Sequence, residues 1–204
     1  MVKKLESFIK RFYLLIIFVF LYTPIVTLMI FSFNDSKSTA KWNGFTLRWY
    51  SELFQNTRIM DALKYTLIIA VLASIIATII GTLAAIGIHR MKGVPKKTLL
   101  NINNLPVLNP DIVTGISLMS LFIFIFPILN KIGINAQFGF GTMLLAHITF
   151  NIPYVILSVL PKLKQLPSNT TEAALDLGAT PLYTLRKIVL PQIKPGIFAG
   201  MLMA

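Results

Sequence analysis

The sequence predicts an all-α, polytopic membrane protein, and three observations lead to this fold class. First, the 204 residues are 55% hydrophobic and only 13% charged, whereas soluble domains carry about 25% charged residues. Second, the apolar residues gather in runs close to the roughly 20 residues that a helix needs to cross a bilayer. Third, the basic residues behind the net charge of +12 fall in short blocks between those runs. This pattern is typical of loops between membrane spans, and it argues against a soluble enzyme or a nucleic-acid-binding protein.

The first two apolar runs predict two transmembrane helices. The first extends from about Phe12 to Phe33, which is longer than the core of a signal peptide, and no Ala-x-Ala cleavage site follows it. The second covers about Ala62 to Ile88 and carries small residues at four-residue spacing. Small residues let helix backbones approach closely in lipid, so we expect helix packing here, with a face that slides during gating as the alternative. The two rows are Ala70, Ser74, Thr78, Thr82 and Ala73, Ala77, Gly81, Ala85.

Three further runs complete about five predicted spans. The third extends from about Leu99 to Phe126 and is interrupted by Pro106 and by the triplet at 109–111. The fourth covers about Gly141 to Leu160. The fifth opens at Gly196 and meets the end of the sequence within a few turns, so we expect the last span to be truncated. Residues 1–204 are interpreted as one transmembrane domain with a loop at about 161–195.

The distribution of Lys and Arg predicts the orientation of the chain. Thirteen of these residues lie at the N-terminus or in the loops after the second and fourth runs, and six lie in the other loops. Basic loops stay in the cytoplasm, so we expect a cytoplasmic N-terminus, a cytoplasmic 161–195 loop and an external 34–61 loop. The external loop is rich in aromatic residues, which favour the membrane interface. We expect a short interfacial helix there, with Thr46 as its N-cap; docking of an external protein is the alternative.

The loop after the fourth run carries the most specific motif in the chain. Residues 172–191 read EAALDLGATPLYTLRKIVLP and match the pattern E-A-A-x3-G-x9-I-x-L-P. The matching residues are Glu172, Ala173, Ala174, Gly178, Ile188, Leu190 and Pro191.

Local propensities predict a helix–turn–helix around this motif. Ser168 or Thr170 would serve as the N-cap, with Glu172 in the first helical turn. Gly178 suits the left-handed conformation that ends a helix, and Pro181 suits the first turn of a second helix. That second helix would continue to Pro191.

On these residues the chain resembles the permease subunits of binding-protein-dependent ABC importers. Together with WNGFTLRWY at 42–50, NPDIVTGISL at 109–118 and FGTMLLAHITFNIPYV at 140–155, it is most similar to the spermidine/putrescine permeases. The resemblance implies a type I-like transmembrane domain of about six spans in a bacterial inner membrane. It also implies a polyamine as the cargo and alternating access as the mechanism; permeases for iron, sulfate or phosphate share much of the pattern and remain alternatives.

The resemblance also implies partners and roles for the motif residues. In the family this element is the coupling helix, which fits a groove on an ATPase. Glu172 and Ala173 would lie on the docking helix, Ala174 would pack closely, and Gly178 would make the turn. The implied partners are an ATPase dimer, a second permease subunit, an extracytoplasmic substrate-binding protein and membrane lipid, with no nucleic acid.

The chain lacks the motifs of enzyme chemistry. There is no G-x-x-x-x-G-K-[ST] and no His/Cys cluster, so we expect no catalytic, cofactor or metal site, with ATP and Mg²⁺ used by a separate subunit. A secondary transporter that needs no ATPase is an alternative, and a membrane scaffold that does not transport is another.

A polar arc on the third run predicts a substrate path. Asp111 is the only acidic residue in a predicted span, and a carboxylate at that depth is costly unless it is paired or faces a watery cavity. Asn104 and Thr114 lie on the same face of the predicted helix as Asp111, and a polar, slightly acidic face suits a cationic substrate. The alternative is that Asp111 caps the helix after Pro110. For His147, in the fourth run, we favour an interhelical hydrogen bond over contact with substrate.

Overall fold

The structure is a computed structural model that describes residues 2–204, with the side chains of residues 6–167 and 169–204. It divides into two compact units, one ending at Lys64 and one covering Tyr65–Ala204. The helices in chain order are α1 (Val2–Phe31), α2 (Arg48–Gln55), α3 (Thr57–Arg90), α4 (Gly93–Leu108), α5 (Asp111–Lys131), α6 (Phe140–Gln165), α7 (Ser168–Asp176), α8 (Pro181–Thr184) and α9 (Leu190–Met203). A π-helical segment, Leu185–Val189, joins α8 to α9.

Within the described residues, four helices are long and apolar enough to cross a membrane. They are the Glu6–Phe31 part of α1, then α3, α5 and α6. The all-α membrane fold expected from the apolar runs is therefore confirmed. The first, second and fourth runs each correspond to one of these helices, with ends that differ from the predicted ones by several residues.

The third predicted run is interrupted at the 109–111 triplet as expected, and the structure divides it there into α4 and α5. The interruption expected at Pro106 is absent, because Pro106 lies inside α4. Asn109 ends α4 in an extended conformation, with φ −88° and ψ 145°. Steric conflict with the ring of Pro110 disfavours helical geometry at the residue before a proline. The helix long enough to span therefore begins at Asp111, and Asp111 is its first residue instead of a residue in its interior.

The predicted start of the fifth span at Gly196 is also wrong. α8, the π segment and α9 follow one another without a break from Pro181 to Met203. Pro191 is the second residue of α9, directly after the π segment, and prolines are commonly accommodated where such a π-helical irregularity interrupts the regular hydrogen-bond ladder. The turn after α7 is therefore connected to α9 by continuous helix.

In the first unit, the segment between α1 and α2 folds around Asn34, which is 1% exposed. Its side-chain amide donates to the Lys41 carbonyl at 2.7 Å, and its Oδ1 accepts from Asn43 N–H at 2.8 Å. Trp49 Nε1–H donates to the Asn34 carbonyl at 2.8 Å, and the Tyr50 hydroxyl lies 2.7 Å from Ser32 Oγ. The polar groups of both aromatic side chains thus hold the loop itself together.

The short helix predicted in this loop is present, but its cap differs from the prediction. α2 begins at Arg48 with Leu47 as N-cap, and the cap side chain makes no hydrogen bond. The Thr46 hydroxyl instead accepts from Arg48 N–H at 3.1 Å. The prediction of Thr46 as the N-cap is therefore wrong by one residue.

In the second unit, α6 packs against α3 and α9 through small residues. One predicted row on α3 is buried throughout: Ala73, Ala77, Gly81 and Ala85. A Cβ added at Gly81 would lie 2.7 Å from Val155 Cβ on α6, and one at Gly200 on α9 would lie 3.1 Å from Val155 Cα. Val155 is thus enclosed between two glycines, which supports helix packing as the role of the buried row.

Candidate functional site

The signature motif lies on α7, on the turn after it, and on the helix that follows. α7 begins at Ser168 with Pro167 as N-cap and no side-chain cap hydrogen bond. The expected cap at Ser168 or Thr170 is therefore wrong. Because the helix starts at Ser168, Glu172 is its fifth residue and lies in the second turn instead of the first. Glu172 and Ala173 are both exposed.

Gly178 ends α7 in a left-handed conformation, with φ +85°. Gly178 N–H donates to the Leu175 carbonyl at 2.9 Å, and Ala179 N–H donates to the Ala174 carbonyl at 3.0 Å. This pair of hydrogen bonds is a Schellman motif, which satisfies carbonyls at the helix end and favours glycine at this position. Ala174 is buried at 9% exposure, so the motif alanine at this position packs inward.

The turn exposes apolar residues that the motif pattern does not include. Leu177, immediately before Gly178, is 88% exposed, and Leu182 and Tyr183 are also well exposed. Concentrated apolar exposure of this kind marks surfaces that bind another protein. The sequence does carry a signal for the exposure of Leu177, because this leucine follows a short polar helix that offers no apolar face for it to pack against.

The second half of the motif lies on the continuous helix after the turn. The Thr180 side chain caps α8 by accepting from Tyr183 N–H, and Pro181 is at the start of α8 as predicted. Ile188 belongs to the π segment, and Leu190 and Pro191 begin α9. Ile188 and Leu190 are half-buried, whereas Pro191 is exposed.

The four candidate path residues are spread over three helices. Asp111 is exposed at the start of α5, where Pro110 is the N-cap. A carboxylate in the first turn is stabilised by the helix dipole, so Asp111 supports the helix end without being its cap. Asn104 on α4 and Thr114 on α5 are half-buried, and Asn104 Oδ1 and Thr114 Oγ1 are buried with no hydrogen-bond partner. In residues 6–167 and 169–204, no hydrogen bond joins any two of the four side chains.

The hydrogen bond of His147 differs from the interhelical bond that the sequence predicted. Its Nδ1 lies 2.8 Å from the Met143 carbonyl, one turn earlier on α6, and the residue is exposed. The hydrogen bond is therefore within one helix, and the expected interhelical bond is absent from the described part of the chain. Across those same residues, no group of three His, Asp or Glu side chains could hold a metal ion.

Comparison with known proteins places this loop in a family. The family model described as "Binding-protein-dependent transport system inner membrane component" matches residues 77–204. The chain is 35% identical over 197 residues to the spermidine/putrescine transport system permease protein PotC of Haemophilus influenzae, covering 97% of this chain and 73% of that protein.

Two relatives from Escherichia coli strain K12 are similarly close. The chain is 38% identical to its PotC over 184 residues, covering 90% of this chain and 66% of the relative. It is 40% identical to its putrescine transport system permease protein PotI over 194 residues, covering 94% of this chain and 67% of the relative. The chain thus spans between 66% and 73% of the length of these three relatives.

A solved structure shows the same fold. It is the crystal structure of a bacterial ABC transporter involved in the import of the acidic polysaccharide alginate. The match has a TM-score of 0.71 at 21% sequence identity and covers 95% of this chain and 72% of the other. With the family match over more than half of its residues, the chain belongs to the inner membrane components of binding-protein-dependent transport systems.

Proposed function

We propose that this chain is a transmembrane subunit of an ATP-driven importer that moves spermidine or putrescine into the cytoplasm by alternating access. The observation that carries this proposal is the exposed loop of α7 and its Schellman turn, which presents the signature residues between α6 and α9. The names of the PotC and PotI relatives support a polyamine as the cargo. Iron, sulfate and phosphate are the cargoes that an experiment has to exclude.

The coupling step follows from the helix continuity after Gly178. An ATPase that moves α7 also moves α8, and no loop separates α8 from α9 to absorb the displacement. α9 packs tightly on α6: a Cβ at Gly196 would lie 3.0 Å from the Ser158 carbonyl. Force applied at Glu172, Ala173 and the exposed Leu177 would therefore reach the membrane-spanning part of the second unit.

The other subunits complete the proposed mechanism. Two ATPase subunits bind ATP and Mg²⁺, and this chain contributes no group to hydrolysis. A second permease subunit completes the channel, and an extracytoplasmic binding protein delivers substrate to the side of the 34–61 loop. ATP-driven closure of the ATPases opens the cavity outward, and hydrolysis resets it. The N-terminus and the α7 loop lie in the cytoplasm, as the basic residues indicate.

The uptake of labelled spermidine and putrescine tests the proposed cargo. Cells that lack their own polyamine importers would express the chain with its partner subunits, and unlabelled sulfate and ferric iron would serve as competitors. We expect ATP-dependent uptake that only polyamines inhibit. Inhibition by sulfate or iron would assign another cargo. Uptake that persists after ATP depletion, or that is unchanged by Glu172→Ala, would instead identify a secondary transporter.

Asp111 is the residue through which we propose that a polyamine ammonium group is attracted into the path. Asp111→Asn removes this charge from an exposed position, so we expect polyamine uptake at low substrate concentration to fall by up to about fivefold, because an ion pair at an exposed position contributes about 0.2–1 kcal/mol. Asp61→Asn is the matched control, because Asp61 is also exposed and its contact with Lys64 is long, at 3.9 Å. Equal uptake by Asp111→Asn and the control would remove Asp111 from the path.

A further inference from the structure

A cavity of about 300 Å³ lies behind the signature loop, within the second unit. Its walls come from the ends of α3 and α6, the start of α7 and the π segment. Arg90 is the last residue of α3, and Leu166 directly follows α6. Because α3 and α6 are both candidate spans, the cavity lies where two membrane-crossing helices end together.

The charged residues that line the cavity are mainly basic. Arg90 and Lys92 bring the positive charge, His89 lines the cavity beside them, and Glu172 is the one carboxylate among the lining residues. None of the ion pairs of the described side chains involves Arg90 or Lys92. Lys96 lies nearby, where its Nζ donates to the His89 carbonyl at 3.1 Å. The lining therefore keeps an excess of positive charge after Glu172 offsets one cation.

The start of α7 adds to this charge. Pro167 and Thr171 line the cavity, and Pro167, the N-cap of α7, provides no side-chain cap. The positive end of a helix dipole favours a nearby anion. The dipole reinforces the basic side chains, which are the main feature of the site.

The cavity is also lined by apolar residues, among them Leu163 at the end of α6 and Leu185 and Val189 in the π segment. A site lined by both cations and aliphatic side chains fits a molecule that is both anionic and apolar. Basic pockets between membrane helices on the cytoplasmic side bind phosphate-bearing lipid headgroups. We propose that this cavity binds the headgroup of an anionic phospholipid, which contacts the end of α3 and the signature helix at once.

This site goes beyond the proposed transport function, because it assigns a second ligand to the chain. A bound lipid would bridge Arg90 and Lys92 on one side to α7 on the other, where Glu172 begins the signature motif. Free inorganic phosphate offers the same anionic chemistry without the acyl chains. The apolar lining residues favour the lipid over free phosphate, and the experiment separates the two.

Lipid retention by the purified full chain tests this proposal. The chain would be equilibrated with equal amounts of phosphatidylglycerol and phosphatidylcholine that have the same acyl chains, and bound lipid would be counted by native mass spectrometry. We expect preferential retention of phosphatidylglycerol. In the double variant R90Q/K92Q, that preference should weaken about thirtyfold, as expected for the loss of two basic residues near an anionic headgroup.

Two variants control for net charge and for folding. R186Q/K187Q removes the same two charges from side chains outside this cavity, and it should keep the preference for phosphatidylglycerol. R90K/K92R keeps both charges and should also keep it, which separates loss of charge from loss of fold. Unchanged retention in R90Q/K92Q, equal loss in both Gln variants, or equal retention of the two lipids would overturn the proposal. Displacement of the lipid by millimolar inorganic phosphate, but not by chloride of equal ionic strength, would overturn the lipid as its natural ligand.

Discussion

At the scale of single residues, the signature motif combines positions that shape the loop with positions that are free to bind. Gly178 adopts φ +85°, and the backbone of Ala174 accepts one of the two hydrogen bonds that close the turn. Glu172 and Ala173 are exposed and contribute little to the loop's own packing. Substitutions at Gly178 or Ala174 should therefore disturb the shape of the loop. Substitutions at Glu172 or Ala173 should instead disturb contact with a partner.

Gly178→Ala tests the shaping role. A side chain in the left-handed region costs about 1–2 kcal/mol, so the turn should be populated less and uptake should fall several-fold. No neighbouring atom opposes the change, because nothing lies within 4 Å of a Cβ added at Gly178; the effect would come from the backbone conformation. Uptake and ATP hydrolysis would be measured together on the assembled transporter, and hydrolysis should persist while uptake falls.

Gly87→Ala is the matched control for this prediction. Gly87 is exposed near the end of α3, and an added Cβ there also meets nothing within 4 Å. Its φ is not positive, so alanine should be tolerated without loss of uptake. Parental uptake in Gly178→Ala, or the same loss in both variants, would contradict a role for the left-handed turn.

At the scale of helices, apolar runs predicted the spans because length and hydropathy are properties of the local sequence. The breaks were harder to predict, since they depend on where a proline falls within a helix. Pro110 ends α4 through the residue before it, whereas Pro191 lies in the first turn of α9 and Pro195 lies inside it without ending the helix. The cap of α7 was misplaced because Ser and Thr occur at several adjacent positions and only the backbone decides between them.

Gly81→Ala tests the packing of α3 on α6. The added Cβ would lie 2.7 Å from Val155 Cβ and 3.3 Å from the Ile152 carbonyl, so one of the helices must move. Overpacking of this kind costs about 1–3 kcal/mol, and we expect a lower thermal unfolding temperature of the purified chain in detergent. Gly87→Ala on the same helix should unfold at the parental temperature or slightly above it. An unchanged unfolding temperature in Gly81→Ala would show that α3 and α6 are not held this closely.

At the scale of the whole molecule, the candidate site was only partly predictable. The signature loop could be located from its spacing, and the turn at Gly178 follows from residue type. The substrate path was less predictable, because its four candidate residues lie on three helices: Asn104, Asp111, Thr114 and His147. The distances between their side chains depend on tertiary packing, which a helical wheel drawn across Pro110 does not represent. The exposed Leu177 was missed although its local sequence carries a signal for it, whereas the basic cavity beside α7 was missed because its lining residues are distant in sequence.

The orientation of the chain in the membrane is testable because the sequence contains no cysteine. Single cysteines would be introduced by Ser51→Cys in α2, Lys97→Cys in α4 and Lys10→Cys in α1, all of which replace exposed residues. The excess of basic residues near Lys10 and Lys97 predicts that these ends face the cytoplasm. A membrane-impermeant thiol reagent should therefore label Ser51→Cys in intact spheroplasts, and the other two only after the membrane is permeabilised. Labelling of Lys10→Cys or Lys97→Cys before permeabilisation would reverse the topology and place the α7 loop on the side opposite to a cytoplasmic ATPase.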